Sequence, residues 1–398
     1  MLNFSVSEYK SRLIKTKERM LQSGIDVMLV TDPANMNYLT GYDAWSFYVH
    51  QLVIVMTDED EPVWVGRGMD EASADFTTWL KKENIIAYSD DYVQSTEKHP
   101  MDFVADIVKK KGYGTKTIGA EFDAYYFTAK NYIQLMKHLP DSKIVDGTSL
   151  VNWVRIVKSE TEISYIKRAA EIATQTMHEG IGKINVGTRE NDVVADILRK
   201  QISGTDEYGG DYTSIVPLLP SGEKTSACHL TWTDDTYKAG DPVILELAGC
   251  YKRYHCPLAR TVILGEPSPE MQDLSEVVLE GIESALDIIK PGVTCEEIEY
   301  AWRQSIEKRG YTKESRMGYS TGLNYPPDWG EHTASIRPGD QTVMEPNMVF
   351  HMIPGIWLDH IGIEISETFR VTETGVEILA DVDRKLFTKP SEITPMIS

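Results

Sequence analysis

Over positions 1–155, apolar residues gather in short runs separated by polar stretches of helical period. The runs Ile25 to Val30, Leu52 to Met56, Pro62 to Val65 and Thr117 to Ala120 have strand length. Between them, Glu71 to Lys81, Asp102 to Lys110 and Ala124 to His138 repeat apolar positions at helical spacing, which predicts helices. Ser5 followed by Glu8 has the form of a capping box, and Gly24 that of a helix stop. Strands alternating with helices predict an α/β domain over residues 1–155.

A second capping box, Ser159 with Glu162, opens a longer helix. Its Ile163, Ile166, Ala170, Ala173 and Met177 share one face, the pattern of a packed core. An internal echo follows. Gly180, then Gly187-Thr188, then Val193, Val194, Ile197 and Leu198 form one segment. Gly281, then Gly292 and Thr294, then Ile298, Trp302 and Ile306 form another. Each reads as helix, glycine turn, threonine cap, helix, and then strand-rich sequence. The repetition predicts a pseudo-twofold core over residues 156–398 with a site where the halves meet. The tail after Lys385 is polar and contains prolines, so it is expected on the surface.

The length of 398 residues suits two domains, and 41% hydrophobic with 25% charged residues suits a globular chain. No stretch approaches the ~20 apolar residues of a membrane span. The first residues lack the basic start and apolar stretch of a signal peptide, so a cytoplasmic address is expected. A net charge of −21 argues against binding nucleic-acid phosphates. The four cysteines, Cys228, Cys250, Cys256 and Cys295, form no C-x-x-C pair and are expected as reduced thiols. Cys228 beside His229 raises the thought of a nucleophile. On an extended segment, however, adjacent side chains point to opposite faces.

Several segments together carry a family resemblance. They are Asp26 to Tyr42, Val154 to Glu162 with Ala169-Ala170-Glu171, Val243 to Gly249, Ala259-Arg260-Thr261, Pro346 to Phe350 and Pro354-Gly355-Ile356. In this order they resemble the creatinase and proline-peptidase family across nearly the whole chain. The resemblance implies an N-terminal creatinase-like α/β domain followed by the pseudo-twofold pita-bread fold. In the metallopeptidases of that fold, two Asp, one His and two Glu hold two metal ions. The corresponding positions here are Glu246, Pro257, Tyr319, Ile353 and Ser366. Proline and isoleucine offer no ligating side chain, so no metal and no cofactor are expected.

The metal-free branch of the family hydrolyses a C–N bond of a guanidinium-like substrate. His229, after Ala227-Cys228, matches the family's pocket histidine, and an imidazole can take and return a proton at neutral pH. Glu246 lies on an apolar strand, where a lone carboxylate is costly. It reads as nucleophile, acid/base group or cation anchor, or as one half of a salt bridge to Arg260. Strand phase nominates Glu364 and His360 through Ser366, His351 through Ile353, and His255 through Pro257. Glu345, in the turn before Pro346, is expected in solvent. Creatinase itself keeps histidines where Tyr319 and Ser366 stand, and glutamates where Ala259 and Ile353 stand, which argues against its substrate.

Two aromatic segments, Gly41 to Gln51 with Trp45, Tyr48 and His50, and Gly322 to Glu331 with Tyr325 and Trp329, resemble a branch that opens a cyclic amidine. The resemblance implies a small zwitterionic substrate, with Tyr319 and Glu364 orienting its ring. No residue in the sequence is marked as the holder of its carboxylate. It further implies a homodimer in which Trp45, Tyr48 and His50 close the partner's pocket, and a downstream deacetylase for the product. Another metal-free amidinohydrolase, or a non-catalytic binding module, is the competing expectation.

Overall fold

The computed structural model describes residues 2–392. The chain packs as two compact units that divide between Arg155 and Ile156.

The first unit runs α1 (Val6–Gln22), β1 (Val27–Val30), α2 (Pro33–Thr40), β2 (Leu52–Met56), β3 (Val63–Arg67), α3 (Glu71–Thr77), β4 (Ile85–Tyr88), α4 (Pro100–Lys110), β5 (Thr117–Ala120), α5 (Ala129–His138), β6 (Lys143–Asp146) and α6 (Asn152–Arg155). Its strands form one mixed sheet in the order β4-β3-β2-β1-β5-β6. Every residue of β1 and β2 is buried, which is why both read as unbroken apolar runs. Val27, Leu29, Ile54 and Val65 of the sheet pack with Val104 of α4 and Leu135 of α5.

Local chemistry moves several predicted boundaries. Ser5 Oγ accepts the Glu8 N–H at 3.2 Å, but the Glu8 carboxylate turns to Arg12 at 3.0 Å, so that box is half made. α5 begins at Ala129, not Ala124, because Thr128 caps it by accepting the Asn131 N–H. α3 ends at Thr77, short of Lys81; the Trp79 N–H leaves the helix for the Thr40 carbonyl at 3.2 Å. Buried Glu121 accepts the N–H groups of Thr31 (2.6 Å) and Asp32 (2.8 Å) and fixes the turn into α2. Burial holds its carboxyl up at about 7.

The second unit runs α7 (Glu160–Lys183), α8 (Glu190–Ser203), β7 (Pro242–Tyr251), β8 (Tyr254–Leu264), α9 (Pro269–Leu286), α10 (Cys295–Glu307), β9 (Gly318–Thr321), β10 (Gly330–Ile336), β11 (Val349–Met352), β12 (Gly355–Trp357), β13 (Gly362–Glu364), β14 (Glu367–Val371), β15 (Val376–Ile378) and β16 (Phe387–Lys389). The Ser159–Glu162 box opens α7, and all five residues of its predicted stripe are buried. Thr294 and Glu297 form a capping box on α10, while α8 begins at Glu190 with no side-chain cap. Each helix pair is followed by strands, as the echo predicts: the long β7–β8 hairpin after α7–α8, and β9 onward after α9–α10.

β7 and β8 turn through Lys252 and Arg253, both at positive φ, the conformation of a tight two-residue hairpin. α7 lies directly on this hairpin. A Cβ on Gly249 would stand 2.0 Å from the Ala169 carbonyl oxygen, so only glycine permits that approach. The other strands form a sheet ordered β10-β9-β11-β14-β15 and a ribbon of β12 with β13. The polar tail, expected on the surface, is half-buried or exposed at Phe387–Lys389 and there forms a strand parallel to β8. Positions 393–398 of that tail lie outside the described residues.

Candidate active site

Glu246 sits mid-way along β7, opposite Ala259 of β8. Its backbone is clamped by a bridge to Leu218, with N–H and C=O exchanging bonds of 3.0 and 2.9 Å. Successive side chains on β8 alternate faces, so the face opposite Glu246 belongs to Ala259 and not to Arg260. Arg260 points the other way, fully buried, into Glu367 at 2.9 Å and the Val382 carbonyl at 2.8 Å. That settles one alternative: Arg260 pairs with Glu367, and Glu246 is left without it.

β13 brings in Glu364. Its N–H donates to Thr261 Oγ1 at 3.0 Å, and Thr261 Oγ1 donates back to its carbonyl at 2.8 Å, tying β13 to β8. The Gly362 N–H donates to Thr225 Oγ1 at 3.1 Å and docks the turn at Gly222–Ser226 against the same strand. That turn leads into Cys228 and His229. A third charged group comes from the loop between α10 and β9, where Lys313 lays its ammonium 4.4 Å from the centre of the Trp357 ring.

Glu246, Glu364 and Lys313 act on one another electrostatically, yet among the described residues neither carboxylate forms an ion pair within 4.0 Å. Among the described residues the buried Lys313 ammonium has no hydrogen-bond partner. Burial, then the charge of Glu364, raises the Glu246 carboxyl well above its ordinary range. Burial holds Glu364 up at about 7, with Lys313 opposing. Burial lowers Lys313 to about 8, with Glu364, Cys228 and Glu246 opposing. Burial and the nearby Glu364 raise the Cys228 thiol, so it is no thiolate nucleophile.

Beside the carboxylates, Tyr319 and Trp329 pack on Ala248, with Ile215 and Ile353 against them. Trp329 Nε1–H donates to the Tyr319 hydroxyl at 2.7 Å. That hydroxyl meets His351 Nδ1 at 3.1 Å, His351 Nε2 meets Ser366 Oγ at 2.8 Å, and Ser366 Oγ accepts the Ala259 N–H at 2.6 Å. Burial pushes the His351 imidazolium down to about 3, so the ring is neutral. Two proton arrangements then satisfy the chain. Either the phenol donates to Nδ1 and Nε2–H donates to Ser366, or Ser366 donates to Nε2 and Nδ1–H donates to the phenol. The second arrangement frees the Tyr319 proton for a ligand. Burial, then Glu246, raises the phenol well above its ordinary value, so it serves as a donor and not as a phenolate.

The structure thus brings Glu246, Glu364, Tyr319, Trp329 and His351 together. Other sequence candidates fare differently. His360 is a correction: it lies at the exposed tip of the β12–β13 turn, bonded to Glu270 at 2.9 Å. The Leu358 N–H to Ile361 carbonyl bond closes that turn and breaks the strand phase used to nominate it. His255 is fully buried, but its Nε2 accepts the Ser214 N–H at 2.9 Å, and its partners are not the carboxylates. Tyr325 is buried with Arg253 over its ring at 5.6 Å. His229 is exposed, in a turn and not an extended segment, which corrects the argument used to separate it from Cys228. Glu345 is exposed. Trp45, Tyr48 and His50 belong to the first unit: Trp45 and Tyr48 are 58% and 68% exposed, and His50 packs against His99 at 4.8 Å.

Lys313 and Trp357 carry no signal in the sequence that marks them for the site. Lys313 stands in the polar stretch Tyr311 to Arg316, which reads as a solvated loop, and Trp357 on a three-residue strand.

The donor set does not fit the two-metal centre of the fold's peptidases. Among the described residues no three His, Cys, Asp or Glu side chains converge as a metal site. Of the five ligand positions, Pro257 and Ile353 are apolar, and the Ser366 and Tyr319 oxygens are taken up in the hydrogen-bonded chain. No helix among the described residues is long and apolar enough to cross a membrane.

Comparison with known proteins identifies the family. The pattern of the Creatinase/Prolidase N-terminal domain matches residues 12–157, and that of Metallopeptidase family M24 matches residues 164–373. The chain is 44% identical over 395 residues to the ectoine hydrolase of Halomonas elongata, covering 98% of this chain and 99% of that one. It is 45% identical over 389 residues to an uncharacterized hydrolase/peptidase of Sinorhizobium fredii, covering 98% and 99%. In fold it resembles the prolidase of Thermococcus sibiricus, with a TM-score of 0.84 at 22% identity over 96% of this chain and 99% of that one. With both domains matched along almost its whole length, the chain belongs to metallopeptidase family M24, in the two-domain form that carries a creatinase/prolidase N-terminal domain.

Proposed function

We propose that this protein hydrolyses ectoine, opening its cyclic amidine to N-acetyl diaminobutyrate without a metal. The observation that carries this reading is a buried ammonium and two buried carboxylates with no ion pair among them. Burying such groups unpaired is costly unless a ligand completes them. Ectoine carries a delocalised amidinium and a carboxylate on one small ring, so it supplies both missing charges. The 44% identical ectoine hydrolase supports the same substrate.

The amidinium carbon is already electrophilic. The Glu246 carboxylate, whose charge is costly to bury without a partner, either pairs with the arriving cation or attacks that carbon. Water delivers its oxygen to the carbon, one ring C–N bond breaks, and the leaving nitrogen departs as an ammonium holding both protons of the water. His229 moves protons between water and that nitrogen. The Tyr319 hydroxyl and Glu364 hold the ring in place.

The domains fall at 1–155 and 156–398, and the enzyme works in the cytoplasm as a homodimer, with Trp45, Tyr48 and His50 over the partner's site. A downstream deacetylase consumes the acetylated product.

The test is proton NMR of ectoine with purified protein, run as a pH series. Ring signals are expected to give way to those of the open-chain acetyl product. Below about 7, Glu364 protonates and loses its hold on the cation; above about 8, Lys313 loses its charge. The profile of kcat/KM should therefore peak between these values, rising through the first and falling through the second. Intact ectoine at every pH refutes the function, and a flat profile between about pH 6 and 9 refutes the roles given to these two groups.

A further inference from the structure

Among the described residues, two hydrogen-bond donors in this site have no acceptor. The Lys313 ammonium is buried without a partner, and so is the indole Nε1–H of Trp357. They are neighbours, with the ammonium 4.4 Å from the centre of the indole ring. Buried donors without acceptors are rare in folded proteins, and two together at a charged site call for one missing group. An anion with two acceptor atoms would satisfy both and match the ammonium's charge. A carboxylate offers two oxygens, enough for both donors.

The indole is held where it is by the backbone. A Cβ on Gly355 would stand 2.5 Å from Trp357 Cη2, and one on Gly362 would stand 2.6 Å from its Cδ1. The ring therefore lies across two glycines of the β12–β13 ribbon, the strand pair that ends in Glu364. The same ribbon thus carries one wall of the anion's place and the carboxylate assigned to the cation. Lys313 lies close enough to feel that carboxylate but outside ion-pair distance.

We infer that Lys313 and Trp357 form the anchor for the substrate's own carboxylate and so select amidines that carry an acid group over those that do not. This rests on the amidine-hydrolase reading above, and it supplies the carboxylate partner that the sequence leaves unmarked. The neighbouring alternative, in which Lys313 only offsets the charge of Glu246 and Glu364, makes a different prediction. A charge-offsetting lysine affects every amidine alike, whereas an anchor affects only those bearing a carboxylate.

The experiment compares kcat/KM for ectoine and for the same methylated ring lacking the carboxylate, in wild type, Lys313→Gln, Lys313→Arg and Trp357→Phe. Wild type is expected to prefer ectoine by roughly 100-fold or more, the worth of charge-assisted bonds to a buried carboxylate. Lys313→Gln should lose roughly 10- to 100-fold on ectoine, mainly through KM, and little on the bare ring. Lys313→Arg should keep the preference, and Trp357→Phe should weaken it by a smaller factor, with the aromatic ring retained. Equal losses on both compounds in Lys313→Gln overturn the anchor and leave the hydrolase reading intact. A wild type that opens both rings equally does the same, even if the glutamine variant fails to fold. A wild type that opens neither compound overturns the hydrolase reading, and the anchor with it.

Discussion

Glu246→Gln is expected to reduce ectoine opening by at least about a thousandfold in kcat, with the fold as stable as before or more so. The amide keeps the shape of the side chain and its hydrogen-bonding reach. It cannot carry the negative charge that pairs with the amidinium, and it is not a nucleophile toward the amidine carbon. Both roles proposed for Glu246 are therefore lost together. The stability half follows from the same geometry. Glu246 is buried, has no ion pair within 4.0 Å among the described residues, and its carboxyl is held above its ordinary range by desolvation. Replacing an uncompensated acid by a neutral amide removes that desolvation cost. Thermal unfolding beside single-turnover kinetics separates the two halves. Activity within tenfold of wild type removes Glu246 from the reaction, and a lowered unfolding temperature shows that its carboxylate has a structural partner.

His229→Ala should lower kcat by about 10²- to 10⁴-fold, the usual worth of a positioned general acid or base, with KM for ectoine nearly unchanged. His229 lies in an exposed turn. Its neighbour Cys228 feels the charges of Glu364, Glu246 and Lys313, which places this turn at the edge of the charged site. An exposed position also allows chemical rescue. Added imidazole should restore part of the activity of His229→Ala and none of that of Glu246→Gln. An alanine variant with wild-type kcat makes His229 a turn residue, and the proton transfers would then fall to the Tyr319–His351–Ser366 chain.

The sequence carries the parts of this molecule that depend on local pattern. Val27 to Val30 and Leu52 to Met56 are buried on both faces and read as apolar runs. The α7 stripe from Ile163 to Met177 buries at its predicted spacing. Helix ends were less legible, because they depend on single caps such as Thr128 and on contacts from elsewhere, such as the Thr40 carbonyl that takes the Trp79 N–H. The three-residue strand Phe387–Lys389 has no apolar alternation to announce it and exists only because β8 offers an edge.

The site divides in the same way. Glu246 stands out in sequence because a charge in an apolar strand is anomalous. Its freedom from Arg260 becomes plain only with the β7–β8 register, which turns Arg260 to the far face. Phase reasoning reached Glu364 and His351 but failed for His360, where a tight turn interrupts the strand. Lys313 and Trp357 carry no local signal at all. A donor without an acceptor is a property of the packed molecule, and the polar loop around Lys313 looks like any solvated one.

The central claim is that these organic side chains open the amidine with no divalent ion among them. Its most direct measurement is ectoine turnover by protein dialysed against a strong chelator and confirmed metal-free by elemental analysis. Undiminished turnover, unaffected by added manganese or zinc, is the predicted result. Turnover that disappears on dialysis and returns with one of these ions would contradict the account.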